Sequence, residues 1–258
     1  MSTASSGIGV TAYETTHVAT VEIRRGPNNF FDIEVLTALA DAFDDLAGGD
    51  TRAVVLCSEG KNFCAGADFS GRGGPLSGQG GLHLYDIAIR LFEQPLPIVA
   101  AVQGAAIGGG LGLALAADLR VAAPESRFAA NFAQLGFHHG FALTATLPRV
   151  VGPQAALDLL YTGRRMDGEA AHRIGLCDHV VPTDQLRVRA TELAQEIASS
   201  GPLAVRAIRA TMRGPLVDEA RAAMAHERAE QERLQTTADF REGITAMDER
   251  RPPEFTGR

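Results

Sequence analysis

Two segments rich in small residues suggest the chemistry of this sequence. The first, Lys61-Asn-Phe-Cys-Ala-Gly-Ala-Asp68, directly follows an apolar run at residues 53–57, and the second, residues 103–112, follows an apolar run at residues 98–102. Small residues just past a strand let a ligand approach bare backbone. The second segment also opens a helix, whose first N–H groups lack intrahelical partners. Two such turns can supply the paired backbone N–H groups of an oxyanion hole, which suits a carbonyl that becomes an enolate.

Other glycine motifs are not completed by the sequence. Leu113 stands where the last glycine of a G-x-G-x-x-G beginning at Gly108 would be, and no G-x-x-x-x-G-K-[ST] occurs. No G-x-S-x-G elbow offers a serine nucleophile. Because a lone triple glycine is most often only a tight turn, the functional signal rests on the two segments together.

Alternating strand and helix patterns must position these segments. The pattern predicts an N-terminal hairpin, a helix capped by Asp32, and then buried strands at residues 53–57, 98–102 and 118–122. A long polar, glycine-rich loop at residues 58–81 and helices at 82–92 and 110–117 separate those strands. After about residue 134 the strands stop. Helices are predicted there at 141–151, 153–161, 168–174, 186–200, 202–212 and 217–234. Repeated strand–helix alternation indicates an α/β fold.

Composition excludes several classes of function. The 258 residues carry a net charge of −7, which disfavours nucleic-acid binding because phosphate neutralisation needs a basic face. Three scattered cysteines are too few for a disulfide framework or a zinc site, and they fit a reducing cytoplasm. Residues 94–117 are 24 uncharged residues, long enough to cross a bilayer, but two prolines and five glycines favour a strand, a turn and a buried helix. A globular enzyme core without membrane or nucleic-acid partners is expected.

The two segments together resemble the crotonase superfamily, the enoyl-CoA hydratases and isomerases. Phe63-Cys-Ala-Gly-Ala-Asp68 is similar to the first oxyanion segment of that family, and Val99-Ala-Ala-Val-Gln-Gly-Ala-Ala-Ile-Gly-Gly-Gly110 is similar to the second. The similarity continues at residues 117–120, 128–129, 147–152, 160–163, 170–178 and 239–246, so it covers nearly the whole chain.

The resemblance implies an architecture and a ligand. The fold would be a ββα superhelix over residues 8–200, followed by a helical region at 201–258 that builds trimers, often paired into hexamers. The ligand would be an acyl-CoA thioester, whose coenzyme A makes a separate cofactor unnecessary, and no metal is implied. The N–H groups of Ala67 and Gly109 would bind the thioester oxygen. Further substrate contacts are expected from Lys61, Ala65, Asp68, Tyr85, Gly108, Gly112 and Phe132.

The acid–base residues depart from the family pattern. Relatives that hydrate enoyl thioesters use two glutamates, and the resemblance places them at Gly112, two residues after the glycine triplet, and at Phe132. Neither glycine nor phenylalanine transfers a proton. The sequence therefore predicts that the usual addition of water across a double bond is impaired.

Other residues are candidates to replace the glutamates. His138 and His139 are candidate general bases because imidazole titrates near neutral pH, with His139 the stronger candidate; the alternative is capping or packing. Tyr85 could donate a proton or a hydrogen bond, although a single helical tyrosine more often only packs. Asp68 is more typical of a helix cap than of a catalytic acid. Three phenylalanines are expected to make the acyl pocket apolar: Phe132, Phe137 and Phe141.

Two functions from different classes fit these residues. One is an acyl-CoA enzyme with altered acid–base groups, and the other is a non-catalytic acyl-CoA-binding protein that keeps the oxyanion hole. An oligomeric scaffold without a ligand is a weaker third hypothesis, because it would not require both small-residue turns.

Overall fold

The computed structural model describes residues 7–13, 15–67 and 82–258, so Asp68 lies outside it. Nine strands are found in this part of the chain: β1 Ile8–Tyr13, β2 Val18–Ile23, β3 Ala53–Ser58, β4 Ile98–Val102, β5 Ala105–Ile107, β6 Leu119–Ala122, β7 Arg127–Ala129, β8 Met166–Asp167 and β9 His179–Val180. A six-stranded sheet has the order β1-β2-β3-β4-β6-β9, antiparallel between β1 and β2 and parallel from β2 onward.

The described helices are α1 Ile33–Ala47, α2 Leu84–Glu93, α3 Gly109–Ala116, α4 Leu143–Val151, α5 Pro153–Thr162, α6 Gly168–Arg173, α7 Leu186–Ala198, α8 Pro202–Leu234 and α9 Ala238–Glu249, with 3₁₀ turns at Asn131–Leu135 and Thr183–Gln185. Asp32 caps α1 as predicted, since its Oδ1 accepts the N–H of Val35 at 2.9 Å. His83 caps α2 in a reciprocal capping box with Asp86.

The predicted burial of the central strands on both faces is confirmed. Val54 and Leu56 of β3 face the main core, whereas Val55 and Cys57 face a second core that is covered by α7. All six residues of β3 and all five of β4 are buried. Each fully buried apolar side chain contributes about 1.5–3 kcal/mol, so the strands that carry the two small-residue segments are held rigidly.

A second, smaller sheet was not predicted. It joins β5, β7 and β8 in that order, with β5 and β7 parallel and β8 antiparallel. The prediction that strands stop after residue 134 is wrong, because β8 of the small sheet and β9 of the main sheet both lie beyond that residue. Strands of two or three residues are too short to show a periodic pattern. The small sheet connects the second small-residue segment to the turn at Asn131–Leu135.

The predicted break between two C-terminal helices is also wrong. A single helix, α8, passes through Gly214 and Pro215. An interior proline costs about 3 kcal/mol, and tertiary contacts on both sides offset that cost. Arg213 donates to the carbonyl oxygens of Ala116 at 2.8 Å and Ala117 at 3.2 Å, and Leu216 is buried.

The C-terminal helices share the main core. The division predicted between residues 200 and 201 falls in the connection between α7 and α8, and α8 packs against α2 and α4. Ala220 and Met224 of α8 belong to the same hydrophobic cluster as β3. No helix in the described ranges has the length and apolar content needed to cross a bilayer.

Candidate active site

The two small-residue segments meet along β5. Cys64 N–H donates to Ala105 O at 2.8 Å, and Ile107 N–H donates to Cys64 O at 3.0 Å. Close approach of the backbones requires glycine on the second segment. A Cβ at Gly104 would collide with Lys61 O, and a Cβ at Gly110 would collide with Cys64 O. The sequence therefore brings the segments into contact because these positions lack side chains.

The amides of Ala67 and Gly109 lie at this junction. Gly66 has φ +97°, and a Cβ built on it would lie 3.6 Å from Gly109 N. Gly108, with φ +57°, precedes α3 as its N-cap, so Gly109 N–H is one of the helix's unpaired first donors. Within the described residues neither Ala67 N–H nor Gly109 N–H has a hydrogen-bond acceptor.

A cavity of about 220 Å³ opens onto both amides. Five phenylalanines line its described wall: Phe30, Phe31, Phe132, Phe137 and Phe141. The side chains with polar groups on the described part of the wall are those of Tyr85, Asn131, Gln231 and Asp248. The expectation of an apolar pocket lined by Phe132, Phe137 and Phe141 therefore agrees with the structure. An apolar site of this kind strengthens hydrogen bonds from fixed amides to a developing negative charge.

Comparison with known proteins decides the family. A sequence profile described as enoyl-CoA hydratase/isomerase matches residues 14–258. The chain belongs to the enoyl-CoA hydratase/isomerase family. An enoyl-CoA isomerase/hydratase of Mycosarcoma maydis is 38% identical over 213 residues, covering 80% of this chain and 77% of that protein. The mitochondrial methylglutaconyl-CoA hydratase of Mus musculus is 33% identical over 242 residues, covering 89% of this chain and 76% of that protein.

Solved structures of the hydratase/isomerase family share the fold. The enoyl-CoA hydratase/isomerase of Pseudoalteromonas atlantica T6c superposes with a TM-score of 0.89 at 30% identity, covering 97% of this chain and 100% of that one. The enoyl-CoA hydratase of Bacillus anthracis superposes with a TM-score of 0.75 at 34% identity, covering 98% and 100%. The predicted crotonase-like α/β fold is confirmed.

Of the two positions that the family resemblance assigns to glutamates, Phe132 lies on the described cavity wall and Gly112 does not. Phe132 is on the wall, with its Cζ 3.6 Å from a Cβ built on Gly108. Gly112 lies one turn into α3, and a Cβ there would be 2.5 Å from Phe141 Cβ. The Phe141 side chain therefore occupies the space that any side chain at position 112 would need.

Most of the residues that were predicted to contact the substrate lie on the cavity wall. The predicted residues on the wall are Ala65, Ala67, Tyr85, Gly108, Gly109 and Phe132. Lys61 is exposed and Gly112 is buried, and neither is part of the described wall; Asp68 lies outside the described residues. Roles in binding or catalysis for these residues stay predictions.

Tyr85 contributes a neutral hydroxyl to the cavity. It is buried, and its Oη donates to Gln231 Oε1 at 2.9 Å. Burial, reinforced by the negative charge of Glu227, raises the pKa of the phenol well above its usual range, although a hydrogen bond from Phe141 N–H opposes this. Tyr85 can therefore donate a hydrogen bond at neutral pH but cannot serve as a base there.

His138 and His139 are not brought to the cavity. Their rings stack on one another with centroids 4.1 Å apart, and His139 Nε2 lies 2.8 Å from Thr144 Oγ1. Neither residue is part of the cavity wall, which the flanking Phe137 and Phe141 supply. Burial, with smaller effects from His138 and His226, lowers the pKa of His139 to about 4, so this ring is neutral at pH 7. Packing, the alternative given by the sequence, fits this placement better than a general base does.

Sequence reasoning missed two polar residues of α8. Glu227 is completely buried, and its carboxylate accepts Ala142 N–H at 2.8 Å, Thr144 N–H at 2.9 Å and Thr144 Oγ1–H at 2.7 Å. It thereby caps α4. Burial raises the pKa of Glu227, and these hydrogen bonds oppose the rise. Gln231 Nε2 donates to His138 O at 3.0 Å.

A periodic signal could have found these residues. The buried positions of the second half of α8 are 216, 220, 223, 224, 227 and 231, which follow helical spacing. Glu227 and Gln231 extend an apolar stripe, so their burial could have been inferred from the sequence. A buried polar residue needs a partner, which would have marked both as structural or functional.

Proposed function

We propose that this chain acts on acyl-CoA thioesters and stabilises the thioester enolate. The thioester oxygen would accept hydrogen bonds from Ala67 N–H and Gly109 N–H. The observation that carries this proposal is a pair of amides at one apolar cavity for which the described residues provide no acceptor. Amides fixed before charge develops stabilise the transition state more than the ground state. The names of the relatives, enoyl-CoA isomerase/hydratase and methylglutaconyl-CoA hydratase, support the same ligand class.

The acid–base chemistry of this proposal differs from hydration by two glutamates. Gly112 and Phe132 supply no carboxylate, and the described carboxylate on the wall, Asp248, is exposed. Tyr85 donates its one hydroxyl hydrogen to Gln231 Oε1, so it would donate to an acyl group or to a departing oxygen only by exchanging that partner. Coenzyme A enters as part of the substrate, and no further cofactor is needed for enolate formation.

The alternative function is acyl-CoA binding without catalysis, in which the protein transfers no proton to or from the ligand. The same amides and aromatic wall would hold an acyl-CoA without converting it. Mass spectrometry of a panel of saturated, unsaturated and hydroxylated acyl-CoAs, before and after incubation with the protein, separates the two. A new mass, or deuterium incorporated from D₂O, indicates an enzyme. Binding with no change in any compound indicates the non-catalytic protein.

Acyl-CoA thioesters are expected to bind more tightly than the corresponding free acids. The free acid lacks the coenzyme, and burying its full negative charge in an apolar cavity costs more free energy than burying the neutral carbonyl of a thioester. Isothermal titration calorimetry with butanoyl-CoA, butanoate and coenzyme A alone measures how much the acyl group and the coenzyme each contribute to the affinity. Equal affinity for butanoyl-CoA and butanoate would contradict the proposed ligand class.

The assembly is expected to be a trimer or a dimer of trimers. Ile208 and Met212, four residues apart on α8, expose 62% and 67% of their surface, which is typical of a subunit contact. Multi-angle light scattering at micromolar concentration measures the mass, and Met212→Glu is expected to shift it toward the monomer. A monomeric wild-type protein would overturn this expectation.

A further inference from the structure

The turn that begins α4 holds two consecutive residues in an unfavourable backbone conformation. Phe141 has φ +61° and Ala142 has φ +59°, and neither is glycine. L-residues with a side chain seldom adopt this left-handed region, and two in succession are rarer still. Strain of this kind persists only where the surrounding structure enforces it, and it is concentrated at functional sites.

Contacts from distant elements hold this turn. Glu227 Oε2 accepts Ala142 N–H at 2.8 Å and Glu227 Oε1 accepts Thr144 N–H at 2.9 Å, from a helix more than 80 residues away in the sequence. The Phe141 ring is fully buried, with its centroid 5.2 Å from that of Phe31 and 6.5 Å from that of Tyr85. These contacts hold the Phe141 ring in its observed position.

The Phe141 ring lies on the wall of the cavity. Phe31 covers Gly109, since a Cβ there would collide with the Phe31 ring, and Phe141 lies next to Phe31. On its other side Phe141 fills the space beside Gly112, because an added Cβ would be 2.5 Å from Phe141 Cβ and 2.8 Å from Cδ1. The ring therefore blocks the cavity beyond the two amides.

We propose that Phe141 determines which acyl groups this protein accepts, by closing the cavity so that short acyl chains fit and long ones do not. Glu227 is the positioning residue, because it holds the strained turn that presents the ring. The Phe141 ring bounds the described cavity of about 220 Å³, so an acyl chain that extends beyond the two amides meets this ring. The inference rests on the proposed acyl-CoA ligand and adds its chain length.

The test compares the affinities of butanoyl-, octanoyl- and dodecanoyl-CoA for the full-length protein by calorimetry. Wild type is expected to prefer butanoyl-CoA. Phe141→Ala is expected to raise the affinity for octanoyl-CoA, relative to that for butanoyl-CoA, by about 10-fold or more. Phe141→Leu keeps much of the side-chain volume and is therefore expected to disturb the fold less. It is expected to change the ratio of octanoyl-CoA to butanoyl-CoA affinity less than Phe141→Ala does. Glu227→Gln, which replaces one accepting oxygen with a donor, is expected to shift it in the same direction as Phe141→Ala.

Phe92 provides the matched control. Its ring is buried 6.5 Å from that of Phe141 but is not part of the cavity wall. Phe92→Leu is expected to lower the melting temperature and leave the chain-length ratio unchanged. If wild type binds none of the acyl-CoAs, the proposed function fails. If wild type binds them and folded Phe141→Ala and Phe141→Leu leave the ratio unchanged, the role of Phe141 alone is refuted.

Discussion

Hydration of crotonyl-CoA by this protein is expected to be at least about 10⁴-fold slower than by a family member that carries both glutamates. A general acid or base typically contributes about 10²–10⁴-fold, and two such groups are missing at Gly112 and Phe132. Tyr85, whose pKa is raised by burial, cannot replace a base. The rate is measured from the loss of the conjugated thioester absorbance, with a glutamate-bearing hydratase as the reference.

Restoring a glutamate at position 112, together with a compensating change at position 141, tests whether the missing carboxylate limits hydration. Gly112→Glu alone is expected to fold poorly, since its Cβ would lie 2.5 Å from Phe141 Cβ. Phe141→Gly removes that atom and suits φ +61°. The double variant Gly112→Glu/Phe141→Gly is therefore expected to fold and to hydrate crotonyl-CoA about 10²-fold faster than wild type. Rapid hydration by wild type would show that another group, such as Asp68, transfers the proton.

Ala67→Pro is expected to lower turnover by about 10²–10³-fold, corresponding to about 2.7–4 kcal/mol of transition-state stabilisation. Proline removes the N–H at position 67, which has no acceptor within the described residues, so the substitution removes no observed structural hydrogen bond. Because the amide acts chiefly on the developing enolate, kcat is expected to fall more than KM changes.

The measurement uses the acyl-CoA that the mass-spectrometric panel identifies as the best substrate. Ala67→Gly, which keeps the N–H, is the control and is expected to retain most of the activity. Circular dichroism and the melting temperature verify the fold of both variants. A folded Ala67→Pro protein with the wild-type kcat would exclude Ala67 N–H as an oxyanion donor.

Local sequence patterns were sufficient for much of the fold. The buried strand Ile98–Val102, the cap at Asp32 and the helix after the glycine triplet were all predicted, because each depends on neighbours within a few residues. Spacing of small residues also identified the two segments that meet along β5, since a backbone that must approach another backbone constrains its own residue types; the family resemblance then implied Ala67 and Gly109 within them. Local propensity failed at Pro215, where tertiary contacts outweigh the cost of an interior proline.

The sequence by itself indicated the family, the buried central strands and the two segments that carry the proposed backbone donors. Only the tertiary structure decided which side chains surround them. Phe141 fills the space beside Gly112, and Glu227 holds Phe141 in place from a helix 85 residues beyond Ala142, whose N–H it accepts. The tertiary structure likewise placed His139 behind the cavity wall instead of on it. Contacts between such distant residues leave no periodic pattern, because they depend on how complete helices pack and in which direction each side chain then points.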